Sequence, residues 1–184
     1  MSKGTDHQRR RFVGQMLALG GGLLVAPTGW SRTYLSVEQA QALIWPGVAL
    51  TPQTVKLSRE QRKAIQKASG VRVRQSEMQA WRGAEGQWFI VDHVIGKHEN
   101  IDLAVGLDRD GGVSGIEILV YRETYGHEIR NDRWRAQFHG RNHQENLRLD
   151  QQIRNISGAT LSCRHVTDGI NRLTHTWNLV LRTL

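Results

Sequence analysis

Four small residues near the C-terminus, Ser157-Gly158-Ala159-Thr160, place a secondary hydroxyl at the end of a tight turn. Gly158 allows a sharp reversal of the chain, and Gly158 with Ala159 leaves room for a bulky reagent to approach that hydroxyl. The residues that follow predict a helix from about Cys163 to Leu181, with Ser162 as its N-cap. Val166, Ile170, Leu173, Trp177 and Val180 or Leu181 recur at intervals of three and four, as one buried helical face requires. A hydroxyl beside such a helix start sits where free backbone N–H groups favour an anion, typically by ~0.3–1 kcal/mol. Alone, the four residues read more readily as a plain loop entering a helix.

Other reactive side chains are less suggestive. Cys163 is the only cysteine, which excludes an internal disulfide and any paired-cysteine haem or zinc motif. Just after a helix start its thiol could be activated as a nucleophile, or it could be a small residue in a crowded turn. The eight histidines show no metal-ligand spacing, and no phosphate-binding or dinucleotide-binding glycine fingerprint occurs.

A second block lies upstream. Gly115 to Val120 reads as a strand, followed by Arg122-Glu123-Thr124-Tyr125-Gly126 and then by Trp134, Gln137, Phe138 and Gly140. Together with Ser157-Gly158-Ala159-Thr160-Leu161-Ser162, this order resembles the FMN-binding domain family, whose members include the flavin-carrying subunits of Rnf-type and sodium-pumping NADH:quinone reductases. The resemblance spans about residues 88–181. It implies FMN as cofactor, joined to Thr160 through a phosphoester by a separate flavin transferase. Ser157, Gly158, Ala159, Leu161 and Ser162 complete the motif, and Glu123 and Thr124 lie near the flavin. One position departs from the family pattern. Arg154 stands three residues before the serine, where an aspartate is usual, followed by Asn155 and Ile156. An arginine there suits pairing with a phosphate, and hence tight non-covalent binding, or it is simply solvated.

The elements that would position these residues read as α+β. An antiparallel sheet of about four strands is expected, with N-terminal helices and a C-terminal helix after the motif. Ser36 to Ile44 is a short helix stopped by Pro46-Gly47, and Ser58-Arg59-Glu60-Gln61 is a candidate capping box for a helix ending before Gly70. The strands fall at about 71–82, 87–96, 101–108 and 113–121. Ile101, Leu103, Val105 and Leu107 alternate, as do Ile116, Ile118 and Val120, so each strand buries one face. Arg122 to Asp150 forms a long loop with a short helix at Trp134–Phe138, and these two aromatics either cover a flavin ring or pack in the core.

Composition fits one modest domain: of 184 residues, 39% are hydrophobic and 23% charged. Half of the net charge of +8 comes from residues 1–32, where Lys3, Arg9, Arg10, Arg11 and Arg32 face only Asp6. The rest is dispersed without a basic groove, which argues against nucleic acid. Gln8-Arg9-Arg10-Arg11-Phe12-Val13 resembles a twin-arginine export signal. The apolar run Met16–Ala26 is shorter than the ~20 residues of a membrane-spanning helix. The expected organisation is a twin-arginine-like signal or anchor over 1–32, a helical segment over 33–70, and an FMN-binding domain over 71–184. The resulting reading is an electron carrier rather than a stand-alone enzyme. It would act in the periplasm or on the extracytoplasmic face of the membrane, with a flavin transferase and a membrane redox partner, either a reductase or quinone-linked. Two alternatives remain open: a flavin-dependent reductase of a small substrate, and a flavin-loaded regulatory domain.

Overall fold

The computed structural model describes residues 31–184, so the twin-arginine-like segment lies almost wholly outside the described residues. Six strands form one antiparallel sheet, in the order β1-β6-β5-β4-β3-β2. They are β1 (Arg32–Thr33), β2 (Leu50–Lys56), β3 (Glu77–Gly83), β4 (Trp88–Ile95), β5 (Asn100–Leu107) and β6 (Val113–Tyr121). The helices are α1 (Val37–Ile44), α2 (Arg59–Ser69), the single turn α3 (Asp132–Arg135) and α4 (Thr160–Leu179), with short 3-10 turns around α3 and after α4.

The α+β reading and the C-terminal helix are present, but the sheet has six strands rather than four. β2 was hidden from a periodicity argument because it carries Pro52 and mostly exposed polar residues. It is an edge strand paired only with β3, the setting in which a strand tolerates proline. β1 is two residues long and pairs with the end of β6. Residues 71–76 precede β3 instead of belonging to it.

Local chemistry explains both early helices. Ser36 accepts from the Gln39 amide while the Gln39 side chain accepts from the Ser36 amide, and Ser58 and Gln61 repeat that reciprocal cap at the start of α2. Gly70, at φ 73°, ends α2 in the left-handed conformation.

The sheet has an apolar layer on each side. Ile101, Leu103, Val105 and Leu107 of β5 join Ile116, Ile118, Ile65 of α2, and Val166, Ile170, Leu173 and Trp177 of α4 in the larger core. On the other face Phe89, Ala104 and Leu119 pack with Ala40 of α1. The α4 residues expected to face inward are therefore buried, as are Val180 and Leu181.

Helix α4 nevertheless begins three residues earlier than the sequence suggested, and Ser162 is not its N-cap. Ala159 occupies the cap position, and its carbonyl accepts from the Cys163 amide at 2.9 Å. With that amide already bonded, Ser162 lies inside the first turn, where its hydroxyl is drawn to a tertiary partner.

Candidate functional site

The candidate site is built around the first turn of α4. Ser157 and Gly158 form an exposed turn, Gly158 at φ 87° with open space around its Cα. Ala159 is buried, and its amide donates to the Ile156 carbonyl at 3.0 Å. Thr160, the first helical residue, is half-buried. Its Oγ1 accepts from Asn155 Nδ2 at 2.9 Å. Leu161 is 44% exposed, while Ser162 is buried. The segment thus presents one hydroxyl at a helix start, with an exposed turn on its N-terminal side.

The Glu123-Thr124-Tyr125-Gly126 turn is brought to this same helical turn by contacts that cross the sequence. Ser162 Oγ lies 2.9 Å from the Tyr121 hydroxyl, which also donates to the Tyr125 carbonyl. Gly126 seals the junction at φ 96°. A Cβ at that position would lie 2.5 Å from Ser162 Oγ and 2.6 Å from the Tyr121 hydroxyl. Glycine here therefore meets both a conformational need and a close approach.

Glu123 points back to the β4–β5 hairpin, where its carboxylate accepts from the backbone amides of His98 and Glu99, the latter at 2.9 Å. Burial alone would raise its pKa, but the Glu99 and His98 amides and the nearby His98 charge outweigh burial and hold it below the usual carboxylate value. Thr124 is exposed. Glu123 is thus committed to the hairpin, and Thr124 is the open side chain of the pair.

Trp134, Gln137 and Phe138 have a role that residue types did not disclose. Trp134 Nε1 donates to the Arg154 carbonyl at 2.7 Å, and the Arg154 amide donates to Gln137 Oε1 at 2.8 Å. The segment leading into the motif is clamped at both polar groups of one peptide residue. Phe138 is fully buried and meets Trp134 edge-to-face at 5.2 Å, so both aromatics pack in the core, and Trp134 also lines a neighbouring cleft. Asn155, Tyr121 and Gly126 were not singled out as site residues from sequence. Only Gly126, as a glycine closing a turn, carried a usable signal.

Two clefts flank this region. One, of about 480 Å³, is lined by Glu128, Asn131, Arg133, Trp134, Gln137, Arg154 and Ile156, next to the clamped segment. The other, of about 540 Å³, runs between α4, β4 and residues 71–75; His165, Asp168 and Arg172 line it with Val73, Val94 and Leu173. Arg172 is paired with Asp92 in its wall. Burial raises the Asp168 carboxyl above its ordinary pKa, against the pull of His165 and neighbouring arginines. Cys163 is fully buried, and that burial pushes its thiol up, so the activated-nucleophile reading has no support. Among the described residues no helix is long and apolar enough to cross a membrane.

Residues 96–175, from the β4–β5 turn through most of α4, match the FMN-binding domain family. The chain carries an FMN-binding domain. The matched span contains the Glu123 turn, the Trp134–Phe138 clamp and the Thr160 turn, the same parts the structure joins. FMN is the cofactor this domain indicates. No curated protein matches the chain. The residues present fit FMN on structural grounds. A hydroxyl stands at the start of a 20-residue helix with open space at Gly158. A cleft mixing an aromatic edge with arginine and amide side chains adjoins the segment that leads to it.

Proposed function

We propose that this FMN-binding domain is an extracytoplasmic electron carrier whose FMN is joined to Thr160 through a phosphoester. The observation that carries this reading is the position of Thr160. Its hydroxyl lies half-buried on the first turn of α4, beside an exposed Ser157-Gly158 turn and held by one amide hydrogen bond. In the attachment step Thr160 Oγ1 attacks the FMN-side phosphorus of FAD. The new P–O bond replaces the pyrophosphate bond, AMP leaves, and the hydroxyl proton passes to a base of the transferase. Backbone amides in the first turn of α4 would be available to hold that phosphate.

Bound FMN supplies reversible electron transfer at its ring, while the protein sets placement and environment. In this reading Ser157, Gly158 and Ala159 keep the turn open, Leu161 offers an exposed apolar side chain beside the attachment point, and Ser162 holds the Glu123-Thr124 turn through Tyr121. Thr124 is the member of that turn free to meet the flavin. Arg154 and Arg133 bring positive charge to the adjoining cleft. The electron donor would be a membrane reductase or a quinone-linked partner, and the twin-arginine-like segment would be the export address, cleaved or retained as an anchor.

One observation favours the second reading, a flavin-dependent reductase. The 540 Å³ cleft along α4 places His165 and Asp168 beside Val73, Val94 and Leu173, so a small substrate would find two acid–base side chains and a nonpolar wall there.

Co-expression with a flavin transferase tests the attachment. The wild type should carry flavin that survives denaturation, with the matching intact mass, and Thr160→Ala should carry none. Label retained in that variant would refute Thr160 as the site. Label absent from the wild type but present in Arg154→Asp would show that the charge reversal disables attachment. Steady-state turnover of a small soluble substrate would favour the reductase over the carrier.

A further inference from the structure

Asn155 occupies an unusual position. Its Nδ2 donates to Thr160 Oγ1 at 2.9 Å, five residues ahead, while its Oδ1 is buried with no hydrogen-bond partner. The backbone on either side is fixed independently. Arg154 is clamped by Trp134 and Gln137, and the Ile156 carbonyl accepts from Ala159. The side-chain amide therefore reaches the threonine from a rigid base rather than from a mobile loop.

A buried acceptor left without a partner carries its full desolvation penalty. The single side-chain hydrogen bond that Asn155 makes, to a half-exposed hydroxyl, returns less than that penalty. Asparagine is thus a poor choice for stability at this position, and an apolar side chain would serve the fold as well or better. What the amide does accomplish is local. A donor fixed on Oγ1 selects one of the staggered side-chain rotamers of Thr160. It also occupies one lone pair, leaving the other lone pair and the O–H directed away from the amide.

We propose that Asn155 is the positioning residue for modification of Thr160: it holds the hydroxyl in the orientation in which the transferase meets it. This rests on Thr160 being the attachment point. It assigns the presenting role to the residue next to Arg154, a position outside the Ser157–Thr160 motif.

The test uses the full chain with a flavin transferase and FAD, and measures the initial rate of covalent labelling by in-gel fluorescence and intact mass. The thermal midpoint of each unlabelled protein is measured in parallel. Asn155→Ala and Asn155→Leu should label about ten-fold more slowly, the order expected from the loss of one hydrogen bond, with an unchanged or raised midpoint. Asn155→Asp, which keeps the shape but cannot donate when ionised, should be as slow as Asn155→Ala. Wild-type labelling rates in Asn155→Ala, or in Asn155→Asp, would overturn the donor role. A clear fall in midpoint in both Asn155→Ala and Asn155→Leu would overturn it too, by making Asn155 a structural residue. The two layers separate cleanly. Label that persists in Thr160→Ala refutes the attachment site itself. Label lost in Thr160→Ala but undiminished in the Asn155 variants refutes only the positioning role.

Discussion

Replacing Gly126 by alanine tests whether the Glu123 turn and the Thr160 helix are one unit. Two costs follow from the structure. An L-residue at φ 96° carries left-handed strain of about 1–2 kcal/mol. The added Cβ would also stand 2.5 Å from Ser162 Oγ and 2.6 Å from the Tyr121 hydroxyl. Ser162 can rotate away, but the Tyr121 ring is buried and cannot. The Tyr121–Ser162 hydrogen bond must then break, and a buried hydroxyl left without a partner costs about 1–3 kcal/mol. The expected total is about 3 kcal/mol, or about 6–12 °C in midpoint for a chain of this size. Gly140→Ala is the control. Gly140 has φ 73° but nothing within 4 Å of the added carbon, so it incurs the strain alone, about 1 kcal/mol. Urea denaturation of both variants, with and without Tyr121→Phe, isolates the crowding. Removing the tyrosine hydroxyl should recover about 1 kcal/mol of the Gly126→Ala loss and none of the Gly140→Ala loss. Equal destabilisation of the two glycine variants, or no coupling to Tyr121, would refute the claim that this contact joins the two blocks.

Two further outcomes are expected. The Glu123 carboxyl is held below its ordinary pKa, so its stabilising contribution is present above the unfolded value of about 4.3 and is lost as pH falls through the folded value; the midpoint difference between wild type and Glu123→Gln should be constant around neutral pH and begin to shrink only as pH falls below about 4.3. A difference that grows on acidification would show that the His98 and Glu99 amides do not hold the carboxylate. Replacing both Arg9 and Arg10 by lysine should strand folded protein in the cytoplasm, as cell fractionation would reveal; efficient export of the double variant would leave the general secretory route instead.

Local sequence settled the features whose partners lie within a few residues. Ser36 with Gln39 and Ser58 with Gln61 form the reciprocal caps that start α1 and α2, because each needs only three residues of spacing. The alternation in β5 named the residues that face α4, although Ala104 shows the strand buried on its other side as well, and the three- and four-residue spacing after Thr160 named the buried face of α4. The order of the two motif blocks was enough to point to the flavin domain. Tertiary structure decided what depends on partners far along the chain. β2 is a strand because β3 offers it a ladder, not because Leu50–Lys56 alternates. Ser162 looked like a cap, yet Tyr121, 41 residues away, claims its hydroxyl. Glu123 is typed by sequence only as a carboxylate in a turn, and the fold brings it to the amides of His98 and Glu99, on a hairpin 25 and 24 residues away. Trp134 and Gln137 are typed by sequence as an aromatic and an amide, and only the fold turns them into the clamp on Arg154. A side chain's type fixes which bonds it can make, but the partner it reaches is fixed by the path of the whole chain.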